Sequence, residues 1–119
     1  MLNLDTHILI HALCGDLIKK EKSVLTKEPW SISSIVIWEI AKVSQLNRIE
    51  LDLDDPEFSL ILSNIHIWPL SLDVCRAIKG LDFTGDPADE IIAATSLVHN
   101  IPLITRDRRI KNSKVIPLI

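Results

Sequence analysis

The stretch "DPADEIIAATSLVHNIPLIT" (Asp86–Thr105) contains a well-marked helix followed at once by a strand. Asp86 stands where an N-cap belongs, Pro87 at the first helical position and Asp89 at the third. Acids in that first turn also suit the helix dipole, by about 0.3–1 kcal/mol each. After the helix, "IPLIT" (Ile101–Thr105) is a short apolar run of strand character. The rest of the chain repeats the alternation. "LNL" (Leu2–Leu4), "WSIS" (Trp30–Ser33), "HIWPL" (His66–Leu70) and "KVIPLI" (Lys114–Ile119) are the other short strand segments. Between them run "THILIHAL" with Thr6 read as its cap, residues 16–27, "SIVIWEIAKVSQL", "DDPEFSLILSNI" with Pro56 just inside its start, and "SLDVCRAIKG" closed by Gly80. Asn47 falls where the third of these helices should stop, since Asn tolerates the left-handed conformation of a C-cap. Strands alternating with helices predict an α/β fold on a mainly parallel sheet of four or five strands.

The chain has 119 residues without repeats or a dividing linker, so one domain over 1–119 is expected. A hydrophobic content of 47% suffices for a packed core and argues against disorder. Net charge is −3, which excludes a molecule that binds nucleic acid through its overall field. The N-terminus "MLNLDTHILI" lacks a basic leader, and no apolar run approaches the roughly 20 residues of a membrane span. Cys14 and Cys75 have no local pairing or metal spacing and are expected to behave as small buried hydrophobes in a reduced compartment. A cytoplasmic protein without membrane partners follows as the expectation.

The acids carry the functional signal. In an open parallel sheet, ligands sit beyond the carboxyl ends of the strands. Asp5 follows "LNL" and Asp107 follows "PLIT". Glu39 lies in "IVIWEIA", with Ile35, Val36 and Val43 at helical spacings of four, three and four on its own face. A carboxylate there must be paired, solvated or bound to metal; Lys42 and Arg48 are the nearby bases that a structural ion pair would use. Capping explains one or two of Asp86, Asp89 and Glu90, but not the acids that close two strands and interrupt an apolar helix. Converging carboxylates repel and raise one another's pKa, and a divalent cation relieves this. Hard oxygen donors suit Mg²⁺ or Mn²⁺, and such an ion supports phosphodiester hydrolysis.

Arg106, Arg108, Arg109 and Lys111 flank Asp107, where an RNA backbone would approach; "KKEK" (Lys19–Lys22) is a second basic run. His7 and His11 share a helical face, but no third zinc ligand accompanies them. Trp30, Trp38 and Trp68 lie in apolar runs and are expected in the core or at a dimer interface. With three glycines in all, there is no Gly-rich phosphate loop.

"LDT", "WEIA", "GDPADEIIAATS" and "PLITRD", in this order and spacing, resemble the PIN-domain ribonucleases, most closely the VapC-type toxins of bacterial toxin–antitoxin pairs. The resemblance runs from Leu4 to the final strand. It implies a three-layer α/β/α domain and an acidic metal site made of Asp5, Glu39, Asp89 and Asp107, with Asp86 as an outer member and Thr105 and Thr6 orienting carboxylates or water. It further implies endoribonuclease activity, a homodimer and a cognate antitoxin that inserts a segment near the site. One position departs from the pattern: Glu90 stands where many members have Arg after the second Asp of "GDPADR".

The combined expectation is a Mg²⁺- or Mn²⁺-dependent endoribonuclease, the toxin of a type II pair, acting on single-stranded or looped RNA. Asp5, Asp89 and Asp107 would hold the ion, with Glu39 on the ion or the attacking water. The alternatives are a catalytically weak RNA- or protein-binding PIN module and a structure-specific DNA nuclease. A phospho-accepting signalling domain is disfavoured, because "LDTH" offers one acid where that chemistry wants two.

Overall fold

In a computed structural model describing residues 1–119, each of the first two strands runs straight into the cap of a helix. Strand β1 (Leu2–Leu4) ends at Asp5, whose carboxylate accepts the Thr6 amide at 2.8 Å and starts α1 (Thr6–Cys14). The cap is therefore Asp5 and not Thr6, the expected residue: the extended backbone of Asp5 aims its oxygen at the first free amide, and Thr6 is already helical. Gly15, at φ 76°, closes α1 in the left-handed region. After α2 (Lys19–Leu25), shorter than the span 16–27 expected, strand β2 (Trp30–Ser33) passes into α3 (Ser34–Gln45) through a Ser33 cap. Asn47 takes up φ 57° just beyond α3, as its sequence position predicts.

Helix α4 (Pro56–Ser63), capped by Asp55, leads to β3 (His66–Trp68); α5 (Leu72–Ala77) runs into a short 3₁₀ turn over Ile78–Gly80. Then come α6 (Pro87–His99), β4 (Leu103–Ile104) and α7 (Arg108–Lys111). The sheet has four strands, all parallel, in the order β3-β2-β1-β4, and helices flank it. "KVIPLI" adds only a bridge from Leu118 to Leu103, so the fifth strand is vestigial. Pro117 supplies its carbonyl to Leu103 but has no amide to extend the ladder.

Leu4, Ile8, Ile32, Ile40, Ile92 and Leu103 are among the fully buried side chains, each contributing about 1.5–3 kcal/mol by leaving water. Asn3 is the polar exception in the centre. Its amide donates to the Ile92 carbonyl and the Ser96 hydroxyl, at 3.2 and 2.9 Å, and so fixes α6 against the middle strand. Helix α6 packs also on α5, α3 and β2. Cys14 and Cys75 are exposed, contrary to expectation: Cys14 is the last residue of α1 and Cys75 lies on the outer side of α5. Trp38 is likewise exposed, whereas Trp68 stacks on His99 with ring centroids 3.9 Å apart. No helix is long and apolar enough to cross a membrane.

The strand order decides where a ligand can enter. From β1 the chain steps outward to β2 and β3, then crosses back to place β4 on the other side of β1. The direction of winding reverses between β1 and β4, and the crevice of such a sheet opens beyond their carboxyl ends. Asp5 and Thr105 stand at those two ends.

Candidate active site

Four separate segments bring carboxylates within charge range of one another at this end of the sheet. Asp5 comes from the end of β1, Glu39 from the second turn of α3, Asp86 and Asp89 from the start of α6, and Asp107 from the loop after β4. Asp89 registers their proximity: its carboxyl is pushed up to about 6, first by burial and then by the charges of Asp5, Glu39, Asp107 and Asp86. Burial is also the main reason that Asp5 and Glu39 lie above the ordinary carboxylate range, with Asp107 adding to the effect on Asp5, and Asp5 and Asp86 to that on Glu39. His7, exposed beside Thr6, opposes both shifts. Asp89 is thus the acid whose charge environment the other four share.

Two threonines orient them. Thr105 donates its hydroxyl to Asp5 Oδ2 at 2.5 Å and accepts the Asp107 amide at 3.0 Å, joining the acids of two strand ends through one oxygen. Thr6 donates to Glu39 Oε1, so the acid in the apolar helix is partnered from α1. The structural alternative for Glu39, an ion pair with Lys42 or Arg48, is not formed; Lys42 turns to Gln45 and lies over the Trp38 ring. Asp86 occupies the N-cap position of α6 but makes no capping hydrogen bond, so capping does not account for its carboxylate. Asp107 has a double role: Oδ1 caps α7 by accepting the amides of Arg109 and Ile110, and Oδ2 lies 3.8 Å from the Arg109 guanidinium.

The donor set is all hard oxygen, which suits Mg²⁺ or Mn²⁺ in kind. The carboxylates are nevertheless not drawn together as expected of residues that share an ion: no group of three or more acidic, imidazole or thiol side chains is close enough to hold one as arranged. Like charges without a cation stay apart, and the protein's own donors occupy several of their oxygens.

The basic residues around Asp107 divide into three kinds. Arg106 makes a two-pronged pair with Glu21 of α2, Nε to Oε2 at 2.8 Å and Nη2 to Oε1 at 2.7 Å. Its guanidinium is therefore engaged within the fold and not free for a phosphate. Arg106 holds the Glu21 carboxyl below its usual value and is itself raised by the same bonds. Glu21 is buried, so Arg106→Ala leaves it without its partner and should cost about 1.5–3 kcal/mol in urea unfolding at pH 7. Because Glu21 is shifted down, that contribution is present above pH 4.5 and fades as the pH falls below it. Arg109 approaches both Asp89 and Asp107, whereas Arg108 and Lys111 are exposed and outside any ion pair.

The sequence pattern of the PIN domain family matches residues 3–115. The chain belongs to the PIN domain family. It is 29% identical to ribonuclease VapC22 of Mycobacterium tuberculosis over 90 residues, spanning 71% of this chain and 67% of that protein. In structure this PIN domain is similar to VapBC2 from Rickettsia felis bound to a DNA fragment from their promoter, with a TM-score of 0.74, 20% identity and coverage of 100% and 98% of the two chains. A toxin–antitoxin complex from Klebsiella pneumoniae gives 0.70 at 22% identity over 94% and 92%, and DNA-bound VapBC from Salmonella typhimurium 0.68 at 20% over 99% and 96%. These likenesses establish the α/β PIN fold.

Neutralising one acid of this PIN domain should stabilise it in the absence of divalent ions. A raised carboxyl contributes stability that is complete below its unfolded pKa of about 3.8 and is lost as pH rises through about 6. Asp89→Asn removes that loss, so its melting temperature should exceed the parent's by about 2–5 °C at pH 7.5 in EDTA, and the difference should vanish near pH 4. Thermal unfolding followed by circular dichroism at the two pH values measures it.

Proposed function

We propose that this PIN domain is a divalent-metal-dependent endoribonuclease and the toxin of a type II toxin–antitoxin pair. One observation carries the reading: Asp89 lies within the fields of Asp5, Glu39, Asp86 and Asp107, acids from four chain segments, at the switch point of the sheet. The likeness to ribonuclease VapC22 and to VapBC complexes supports the choice of RNA and of an antitoxin partner. Asp5, Asp89 and Asp107 would hold Mg²⁺ or Mn²⁺, with Glu39 on the ion or the attacking water. When bound, the ion supplies a nucleophile at neutral pH and offsets charge developing on the phosphoryl oxygens.

The chain's own residues do the rest. Thr105 fixes the Asp5 carboxylate and the backbone of Asp107, and Thr6 fixes the Glu39 carboxylate, so two carboxylates and the turn that carries a third are held from behind. Glu39, partly desolvated, is suited to orient water against the scissile phosphorus and to take its proton. Asp86, exposed and without a capping bond, supports the outer rim. Arg108 and Lys111 are the cations free to meet the RNA backbone on the Asp107 side.

The exposed Trp38 on α3 is suited to a second copy of the chain or to the antitoxin, and a cytoplasmic location accords with both partners. With Mn²⁺ present, the protein should cut single-stranded RNA internally and leave single- and double-stranded DNA of the same sequence intact; gel analysis of end-labelled substrates tests this. Cleavage of DNA at an equal rate would favour the DNA-nuclease alternative. No cleavage of any RNA, despite bound metal, would favour the weak binding module.

A further inference from the structure

Asp89 and Asp107, the acids of two different metal-ligand segments, face one and the same positive group. The Arg109 guanidinium places Nη2 3.8 Å from Asp89 Oδ2 and 3.8 Å from Asp107 Oδ2. Its other terminal nitrogen, Nη1, donates to the Thr84 carbonyl at 3.0 Å, which anchors the fork against the loop before α6. Arg109 belongs to α7, whose cap is Asp107, so the cation and one of its acids are built from the same turn.

Resting on the metal-site reading above, we infer that Arg109 is an internal counter-cation, standing between Asp89 and Asp107 in the metal-free protein and giving way to the divalent ion. At 3.8 Å these are loose ion pairs and not hydrogen bonds. The Arg109 side chain is 56% exposed, against 18% and 26% for its two acids, so it can swing into solvent while they remain in the crevice. Arg109 also supplies, from α7, positive charge on the acidic cluster of a chain in which Glu90 follows Asp89. The consequence is a threshold. The ion must displace a tethered guanidinium, so the site fills at a higher metal concentration than its carboxylates alone would require. The released guanidinium is then left at the rim where a phosphate would lie.

Mn²⁺ binding, followed by isothermal titration and by loss of the free-ion electron paramagnetic resonance signal, tests this on the full chain without reference to activity. Arg109→Gln should bind Mn²⁺ about five- to tenfold more tightly than the parent, the size expected when one partly screened charge is removed. Arg109→Lys keeps the charge and should bind within about twofold of the parent. In EDTA the Gln variant should melt below the parent, and saturating Mn²⁺ should close that gap. Equal or weaker binding by Arg109→Gln, with the parent binding normally, would overturn the counter-cation role while leaving the metal reading in place. Tighter binding by both variants alike would also overturn it, because charge would not be the cause. Failure of the parent and both variants to bind would remove the metal reading and this inference with it.

Discussion

Asp5→Asn should abolish RNA cleavage, by at least about 100-fold relative to the parent, while the protein still folds and, in EDTA, melts no lower than the parent. The expectation separates the residue's two duties. Structurally, Asp5 caps α1 through Oδ1 and accepts the Thr105 hydroxyl through Oδ2. Asn is as good an N-cap as Asp, and the hydroxyl of Thr105 can turn to accept from an amide as readily as it donates to a carboxylate. Asn also carries no charge to desolvate, and burial already holds Asp5 above the ordinary carboxylate range. Chemically, the substitution removes a negative charge from the only acid that follows the central strand β1. Cleavage should therefore vanish without a folding defect, and circular dichroism together with a timed assay on an RNA cut by the parent checks both halves. An Asp5→Asn protein with full activity would refute the assignment of the site.

The second large effect concerns the ion. Chelation with EDTA should reduce cleavage to background, and Mg²⁺ or Mn²⁺ should restore it. At a hundred times its dissociation constant, Mn²⁺ should add about 2.7 kcal/mol of stability, a rise of about 10 °C in melting temperature. The gain should depend on pH. The ion binds ionised carboxylates, and Asp89 is half protonated near 6, with Asp5 and Glu39 shifted in the same direction. Affinity should accordingly climb as pH rises through about 6 and be weak at pH 5. A melting temperature that ignores Mn²⁺ at pH 7.5, measured by scanning calorimetry, would contradict the site.

Much of this architecture was legible because local chemistry and global fold agree. Pro87 and Pro56 mark helix starts, Asn47 marks a stop, and short apolar runs alternating with helices dictate a parallel sheet, whereas α5 ends at Ala77, before the Gly80 expected to close it, because the chain tightens into a 3₁₀ turn. Asp5, Glu39, Asp89 and Asp107 stand out as acids where burial or strand ends make them conspicuous; Asp5, Glu39 and Asp107 lie near enough to Asp89 to raise its carboxyl, but no three of the acids stand close enough to share an ion as arranged. Other features depend on distance in space. The pair of Glu21 with Arg106 joins residues 85 positions apart, and nothing in "KKEK" marks its acid as buried. The helix α7 was missed because "RRIK" is a single turn, although Asp107 three residues before Ile110 is a usable cap signal. Cys14 and Cys75 were expected inside on residue type alone, but helix ends and outer faces override such preferences. The placement of Arg109 between two acids could not be read from sequence, since an Arg beside an Asp in a basic run looks like ordinary solvated surface.

The most direct measurement is a crystal structure of the full chain grown at pH 7.5 with Mn²⁺, using anomalous scattering to locate the ion. A peak is expected within bonding distance of carboxylate oxygens of Asp5, Asp89 and Asp107, with Glu39 on the ion or on one of its waters. An ordered Mn²⁺ held elsewhere, or an acidic crevice that stays free of metal at millimolar Mn²⁺, would contradict it.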